Sequence, residues 1–219
     1  MFLPIRLEPF AQPPVDFRHT NVCIRYSSGM AGAGPNDMMF GALNRFNGRL
    51  GPLASGPGDE SVFGMIAVWV AQCFSRGSIR LSSTDPSAQP IVEENMLSHP
   101  SDVARIRDGI RRLAVLGRHD SLKAIGRVTF VLPTNATDAE IDAYTLSNAG
   151  DADHATSTCR MGDPREKTTV VDSHCKVLGL EGLRVIDASI MPVMPTANTN
   201  APAMMIGEKG ADLIKRDLN

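Results

Sequence analysis

The residues best able to do chemistry crowd into two short stretches. In DADHATSTCRMG, residues 151–162, a histidine and a cysteine follow two aspartates. A metal site, a cysteine nucleophile with its base, or a site of another kind could use that set. Zinc is disfavoured: Cys23, Cys73, Cys159 and Cys175 form no CxxC pair, and His174 and Cys175 are adjacent, a spacing that seldom serves one tetrahedral site. No metal ligands are therefore expected. A free cysteine is usually a small buried hydrophobe, and Cys159 reads as one. The other histidines, His19, His99, His119 and His174, fall in loop or surface contexts. A serine hydrolase would need GxSxG at a strand-to-helix turn, and the chain has none.

The second stretch, VIDASIMPVMPTANTNAPAMMIGEKGADLIKR, reads as strand, turn, asparagine-rich loop and helix, with Pro202 in the first turn. A helix N-terminus presents backbone N–H groups that favour an electron-rich group. Asn198 and Asn200 just before it can both donate and accept hydrogen bonds. Helix capping explains them equally well.

These stretches need a scaffold. NVCIRYSS, residues 21–28, reads as a strand, and the eight glycines between Gly29 and Glu60 read as a long loop. VFGMIAVWVAQCF, 62–74, is apolar on both faces and suits a buried strand. GSIRLSS alternates after it, with Ile79 and Leu81 expected inward and SRG as a turn, so the two should form an antiparallel pair. HPSDVARIRDGIRRLAVLG carries a helical stripe of Val103, Ile106, Ile110 and Leu113, closed by Gly117. Thr137 and Glu140 form a capping box for a helix over 135–148. LRVIDASIM, 183–191, is expected to be a short buried strand, with the last helix running from Pro202 to about Lys215.

The bulk numbers exclude some classes. The 219 residues are long enough for one large domain or two small ones. A net charge of −2 gives no electrostatic case for nucleic acid or an anionic membrane, and RIRDGIRR reads as a helix face. No apolar run approaches the roughly 18 residues of a membrane span. The N-terminal residues carry charges and prolines where a signal peptide would be apolar, so a cytoplasmic location with reduced thiols is expected.

Three ordered motifs carry a resemblance: HATSTCRMG at 154–162, GLRVIDASIMP at 182–192 and NTNAPAMMIGEKGADLI at 198–214. SSGMAGAGPNDMMF and SRGSIRLSSTDPSAQPIVEENMLSHPSDVARIRDGIRRL extend it upstream. Together they resemble the C-terminal region of the glucose–methanol–choline (GMC) oxidoreductases, flavin enzymes, and lie nearest the choline-oxidising branch. The resemblance implies that His154 is the active-site base, with Asn198 as its partner, in oxidation of a small-molecule alcohol by FAD. It implies that Asn198, Thr199, Asn200 and Ala201 lie by the flavin ring, and that Asp187 and Ala188 face its phosphate–ribityl region. Two positions depart from the family pattern. Asp153 stands where an aromatic residue is common, and could orient His154, bind a cationic substrate or face solvent. Ser157 stands where glycine is usual.

The expected fold is α+β: an extended segment over 1–20, then an antiparallel sheet with helices on one face over 21–150, the substrate-binding domain. Residues 151–219 should return a strand and a helix to an FAD-binding, Rossmann-like domain. The family's dinucleotide fingerprint is missing here: GAGPND, 32–37, lacks the third glycine of GxGxxG and opens no helix. The chain is therefore expected to act with an N-terminal FAD-binding half or a companion chain, and to be inactive alone. An apolar surface around Val185, Ile186, Met204 and Met205 should then be exposed. The rival readings are a non-catalytic binding or scaffold module that kept the fold, and a hydroxynitrile-lyase-like member using the same histidine.

Overall fold

The computed structural model describes residues 2–9, 20–46, 63–130 and 132–218. The chain divides into two compact units, Met1–Arg76 with Met96–Ala152, and Gly77–Asn95 with Asp153–Asn219.

The first unit holds a five-stranded sheet in the order β2-β3-β4-β1-β7. Its strands are β1 (Phe2–Pro9), β2 (Thr20–Tyr26), β3 (Met38–Phe46), β4 (Phe63–Val70) and β7 (Gly126–Phe130). Every ladder in it is antiparallel. The double-faced apolarity of β4 has a simple cause, because both its faces are covered. Met65 and Ala67 are buried on one side, and Val68 and Val70 on the other. The second face meets Ile106, Ile110 and Leu113 of helix α1 (Pro100–Leu116), residues three and four apart, as a helical stripe requires. Helix α2 (Asp120–Ile125) leads into β7, and α3 (Asp138–Asn148) sets Ile141 into the same core. The capping box of α3 forms as read: Thr137 Oγ1 accepts from Glu140 N–H, and Glu140 accepts from Thr137 N–H.

Within this core sits a charge cluster. Arg105 is fully buried between Asp37 and Asp102 and donates to both. Asp37 also accepts from the N–H and hydroxyl of Ser28, each at 2.7 Å. Asp102 accepts from the N–H groups of Phe74 and Ser75 and from the Ser75 hydroxyl. Each buried charge is thus paired and hydrogen-bonded, the condition under which burial is tolerable.

The second unit contains a two-stranded ribbon, β5 (Ser78–Arg80) with β6 (Ile91–Glu93), then a run of turns and isolated bridges over 153–199. A 3₁₀ turn (Ala188–Ile190) precedes helix α4 (Asn200–Leu218). Its core is Val171, Cys175, Ile190, Met191, Ile206 and Leu213.

Several expectations are corrected. The long glycine-rich loop is interrupted by β3, and residues 47–62 of it lie outside the described residues. The N-terminal segment contributes β1, an inner strand of the sheet, while residues 10–19 lie outside the described residues. The SRG turn does not make a hairpin: β4 pairs with β1 and β3, whereas β5 pairs with β6. Ile79 and Leu81 are 49% and 86% exposed, with no second layer over the ribbon among the described residues. LRVIDASIM forms no strand. Arg184 makes one bridge to Lys176, and the chain then turns into the 3₁₀ element. A strand needs a continuing neighbour for its backbone groups, and the pairing here ends at Val185, whose N–H donates to Cys175 C=O at 3.1 Å. The expected apolar surface is divided: Met204 and Met205 are 60% and 59% exposed, while Val185 and Ile186 pack partly into the core.

Candidate active site

Residues 154–162 are held by backbone pairing to the segment after the 3₁₀ turn's start. Cys159 N–H donates to Ser189 C=O at 3.0 Å, and Met161 N–H to Ile190 C=O at 2.9 Å. Arg160 clamps the same strip, donating to Pro192 C=O at 3.2 Å and to Thr168 Oγ1 at 2.6 Å. Cys159 is therefore part of the framework behind the loop, half-buried, with its backbone in use. Burial pushes the Cys175 thiol up, which keeps it a protonated core residue.

The loop ahead of this strip brings His154 to the start of α4. Its Nε2 lies 2.7 Å from Asn198 Nδ2, and its Nδ1 lies 3.0 Å from Thr199 Oγ1. His154 is half-buried, Thr199 is buried, and Asn198 is exposed. Both ring nitrogens thus have partners from one short segment, which α4 fixes: Ala203 N–H donates to Thr199 C=O at 2.9 Å. The structure brings His154, Asn198 and Thr199 together. The contact of Thr199 with the histidine was not read from the sequence, where the resemblance set Thr199 by the flavin ring.

Asn200 and Ala201 form the exposed first turn of α4, and Pro202 follows. Helix geometry leaves the N–H groups of that turn without an acceptor inside the helix. Asp187 lies on the 3₁₀ turn as its cap, where its carboxylate accepts from Ser189 N–H and hydroxyl; Ala188 is half-buried beside it. Asp153 is exposed, and among the described residues its carboxylate makes no bond to the His154 ring. Orientation of the histidine falls to Asn198 and Thr199 instead. Among the described residues no three His, Cys, Asp or Glu side chains gather as a metal site, and no helix is long and apolar enough to cross a membrane.

The chain is similar to known proteins. A family model described as GMC oxidoreductase matches residues 73–207. An oxygen-dependent choline dehydrogenase of Chromohalobacter salexigens is 44% identical over 142 residues, which is 64% of this chain and 25% of that protein. The human mitochondrial choline dehydrogenase is 40% identical over 143 residues, 64% of this chain and 24% of its own length. A 5-(hydroxymethyl)furfural oxidase of Methylovorus is 34% identical over 204 residues, 87% of this chain and 36% of that one. Among solved structures, pyridoxine 4-oxidase from Mesorbium loti superposes with a TM-score of 0.77 over 95% of this chain and 40% of its own, at 22% identity. A formate oxidase variant of Aspergillus oryzae, studied for its FAD modification, gives 0.73 over 84% of this chain and 32% of its own, at 26% identity. The chain thus spans about a quarter to two fifths of these relatives' length. With the family model covering well over half of the residues, the chain belongs to the GMC oxidoreductases, of which it forms a C-terminal domain.

Proposed function

We propose that this chain supplies the proton-handling residues of an FAD-dependent alcohol oxidase or dehydrogenase, with His154 as the base. The observation that carries the reading is the placement of His154 between Thr199 and Asn198. Asn198 Nδ2 donates to Nε2 of His154, so a substrate hydroxyl reaching Nε2 from the exposed side takes the amide's place on its lone pair and leaves that amide free to hold the substrate oxygen. A substrate hydroxyl placed there gives its proton to Nε2, while Asn198 donates to the oxygen as negative charge grows on it. Histidine suits this work because its ordinary titration falls near neutral pH.

The residues around the start of α4 fit a flavin. They offer uncharged amides from Asn198 and Asn200, first-turn N–H groups at Asn200 and Ala201, and the exposed apolar side chains of Met204 and Met205. That donor set suits a flat ring with electron-rich carbonyl edges, and the positive end of the helix dipole favours negative charge there. FAD, when bound, supplies the acceptor for the hydride leaving the carbinol carbon. Asp187 and Ala188 would hold its ribityl chain. The Asp187 carboxylate, already accepting from Ser189, suits hydroxyl donors rather than phosphate, which it would repel. The sheet region over 21–150 is assigned the substrate, and 151–219 the base and cofactor. Turnover requires the dinucleotide-binding part that carries the family's glycine fingerprint.

The relatives' names point to a small primary alcohol, and the exposed carboxylate of Asp153 would favour a cationic one such as choline. The test is product analysis of the FAD-loaded enzyme against neutral and cationic primary alcohols. The reading predicts an aldehyde from at least one of them, with Asp153→Asn raising KM for the cationic alcohol alone. No aldehyde from any alcohol, or carbon–carbon cleavage in its place, would refute it.

A further inference from the structure

We propose that Thr199 is a positioning residue that, together with the Asn198 donor at Nε2, holds His154 as the Nδ1–H tautomer by accepting from Nδ1–H, and so keeps Nε2 unprotonated. The inference rests on the function proposed above for its importance, but its geometry stands apart from it. An amide nitrogen can only donate, so the 2.7 Å contact from Asn198 Nδ2 makes Nε2 an acceptor. In a neutral imidazole the proton is then on Nδ1, whose neighbour at 3.0 Å is Thr199 Oγ1.

The fold explains why this hydroxyl is available. Thr199 stands immediately before α4, in the N-cap position, where a hydroxyl ordinarily accepts from an N–H two or three residues on. The residue three positions on is Pro202, which has no N–H. Its main chain is meanwhile fixed, because its carbonyl accepts from Ala203 N–H at 2.9 Å. The side chain is buried and β-branched, so few waters compete for the oxygen and χ1 has little freedom. Asp153, the other group close enough in sequence to orient the ring, makes no bond to it among the described residues. Proline thus removes one of the two N–H groups that a hydroxyl here would ordinarily serve, and the hydroxyl bonds His154 Nδ1 instead.

The experiment is ¹⁵N NMR of the full chain labelled in its histidine rings, at a pH where the imidazoles are neutral, with His154→Gln identifying the His154 signals among the five histidines. The expected spectrum has a protonated, pyrrole-type Nδ1 and a pyridine-type Nε2. Thr199→Val keeps the shape without the hydroxyl and should give mixed tautomers, whereas Thr199→Ser should retain the wild-type pattern. A wild-type ring protonated at Nε2 would overturn the proposal whether or not any variant folds. So would a folded Thr199→Val chain with the wild-type pattern, or a folded Thr199→Ser chain that has lost it. In the FAD-loaded enzyme, Thr199→Val should lower kcat at little change in KM, with Thr199→Ser restoring it. If the tautomer is as stated yet His154→Ala turns over alcohol normally, the base assignment fails and the tautomer stands. If His154→Ala is impaired but the tautomer is reversed, only the role of Thr199 fails.

Discussion

At the scale of single residues, the site loop carries backbone strain where the sequence departs from its family. Asp153 has φ 56° and Ser157 has φ 72°, both in the left-handed region. Aspartate tolerates that region through local hydrogen bonding, while serine does so less readily. The glycine usual at position 157 thus has a physical reason, which the sequence pattern contained but could not explain. Ser157→Gly should raise unfolding stability by about 0.5–1 kcal/mol, the relief of a left-handed side chain less the added freedom of the unfolded chain. A urea midpoint that stays put or falls would contradict it.

The buried charges in the first unit give a pH dependence. Burial is the largest single influence on Asp37 and Asp102 and would raise both carboxyls. Hydrogen bonds from Ser28 to Asp37, and from Ser75 and Phe74 to Asp102, together with Arg105, outweigh it and hold both below the ordinary carboxylate range. A carboxyl lowered in the folded state adds stability above its unfolded value, near 3.9, and loses it as pH falls through the folded value. Stability should therefore be level near neutrality and drop below about pH 4. Thermal unfolding across pH 2–7 measures it, and Asp102→Asn should show a flatter acid limb on a lower plateau. Arg105→Leu should cost roughly 3–5 kcal/mol, because it strands two buried carboxylates. Asp102 lies three residues before Arg105 on the helix read from the sequence, but the pairing with Asp37 was not legible there. Pairs 68 residues apart leave no periodic trace.

At the scale of elements, what the sequence revealed depended on whether the signal was local. Helix α1 shows in its three- and four-residue apolar spacing, and α3 in its capping box. Strand β3 was hidden because glycine normally signals a turn. Gly41, however, lies under the Trp69 ring, where an added Cβ would come within 2.7 Å of Cζ3. The pairing of β5 with β6 was missed because it is made across a loop of ten residues, 81–90, and alternation says nothing of the partner strand. The same close-approach logic applies to α4. A Cβ at Gly210 would stand 2.2 Å from Ile186 Cγ2, whereas Gly207 faces open space. Gly207→Ala should stabilise by up to about 1 kcal/mol from helix propensity. Gly210→Ala should instead destabilise by about 1–3 kcal/mol through overpacking. Equal shifts in unfolding midpoint for the two would show that α4 does not pack on Ile186 as described.

At the scale of the whole molecule, the candidate site was the most legible part, since its three motifs lie within 61 consecutive positions, 154–214. Their contacts were less so, because sequence separations of 44 and 45 residues are closed only by the turns and bridges of the second unit. That unit's exposed Met204 and Met205 lie near the same helix start, where the proposed flavin would sit. The chain covers about a quarter of the choline dehydrogenases it resembles, so the proposed chemistry is tested in the FAD-loaded enzyme. The most direct test of the central claim is the anaerobic rate at which alcohol bleaches the flavin absorbance of that enzyme, wild type against His154→Ala. With His154 as the base, the variant should keep its bound flavin and its unfolding temperature while the rate falls by about 10²–10⁴-fold. A folded, flavin-loaded His154→Ala enzyme that bleaches at the wild-type rate would contradict the account.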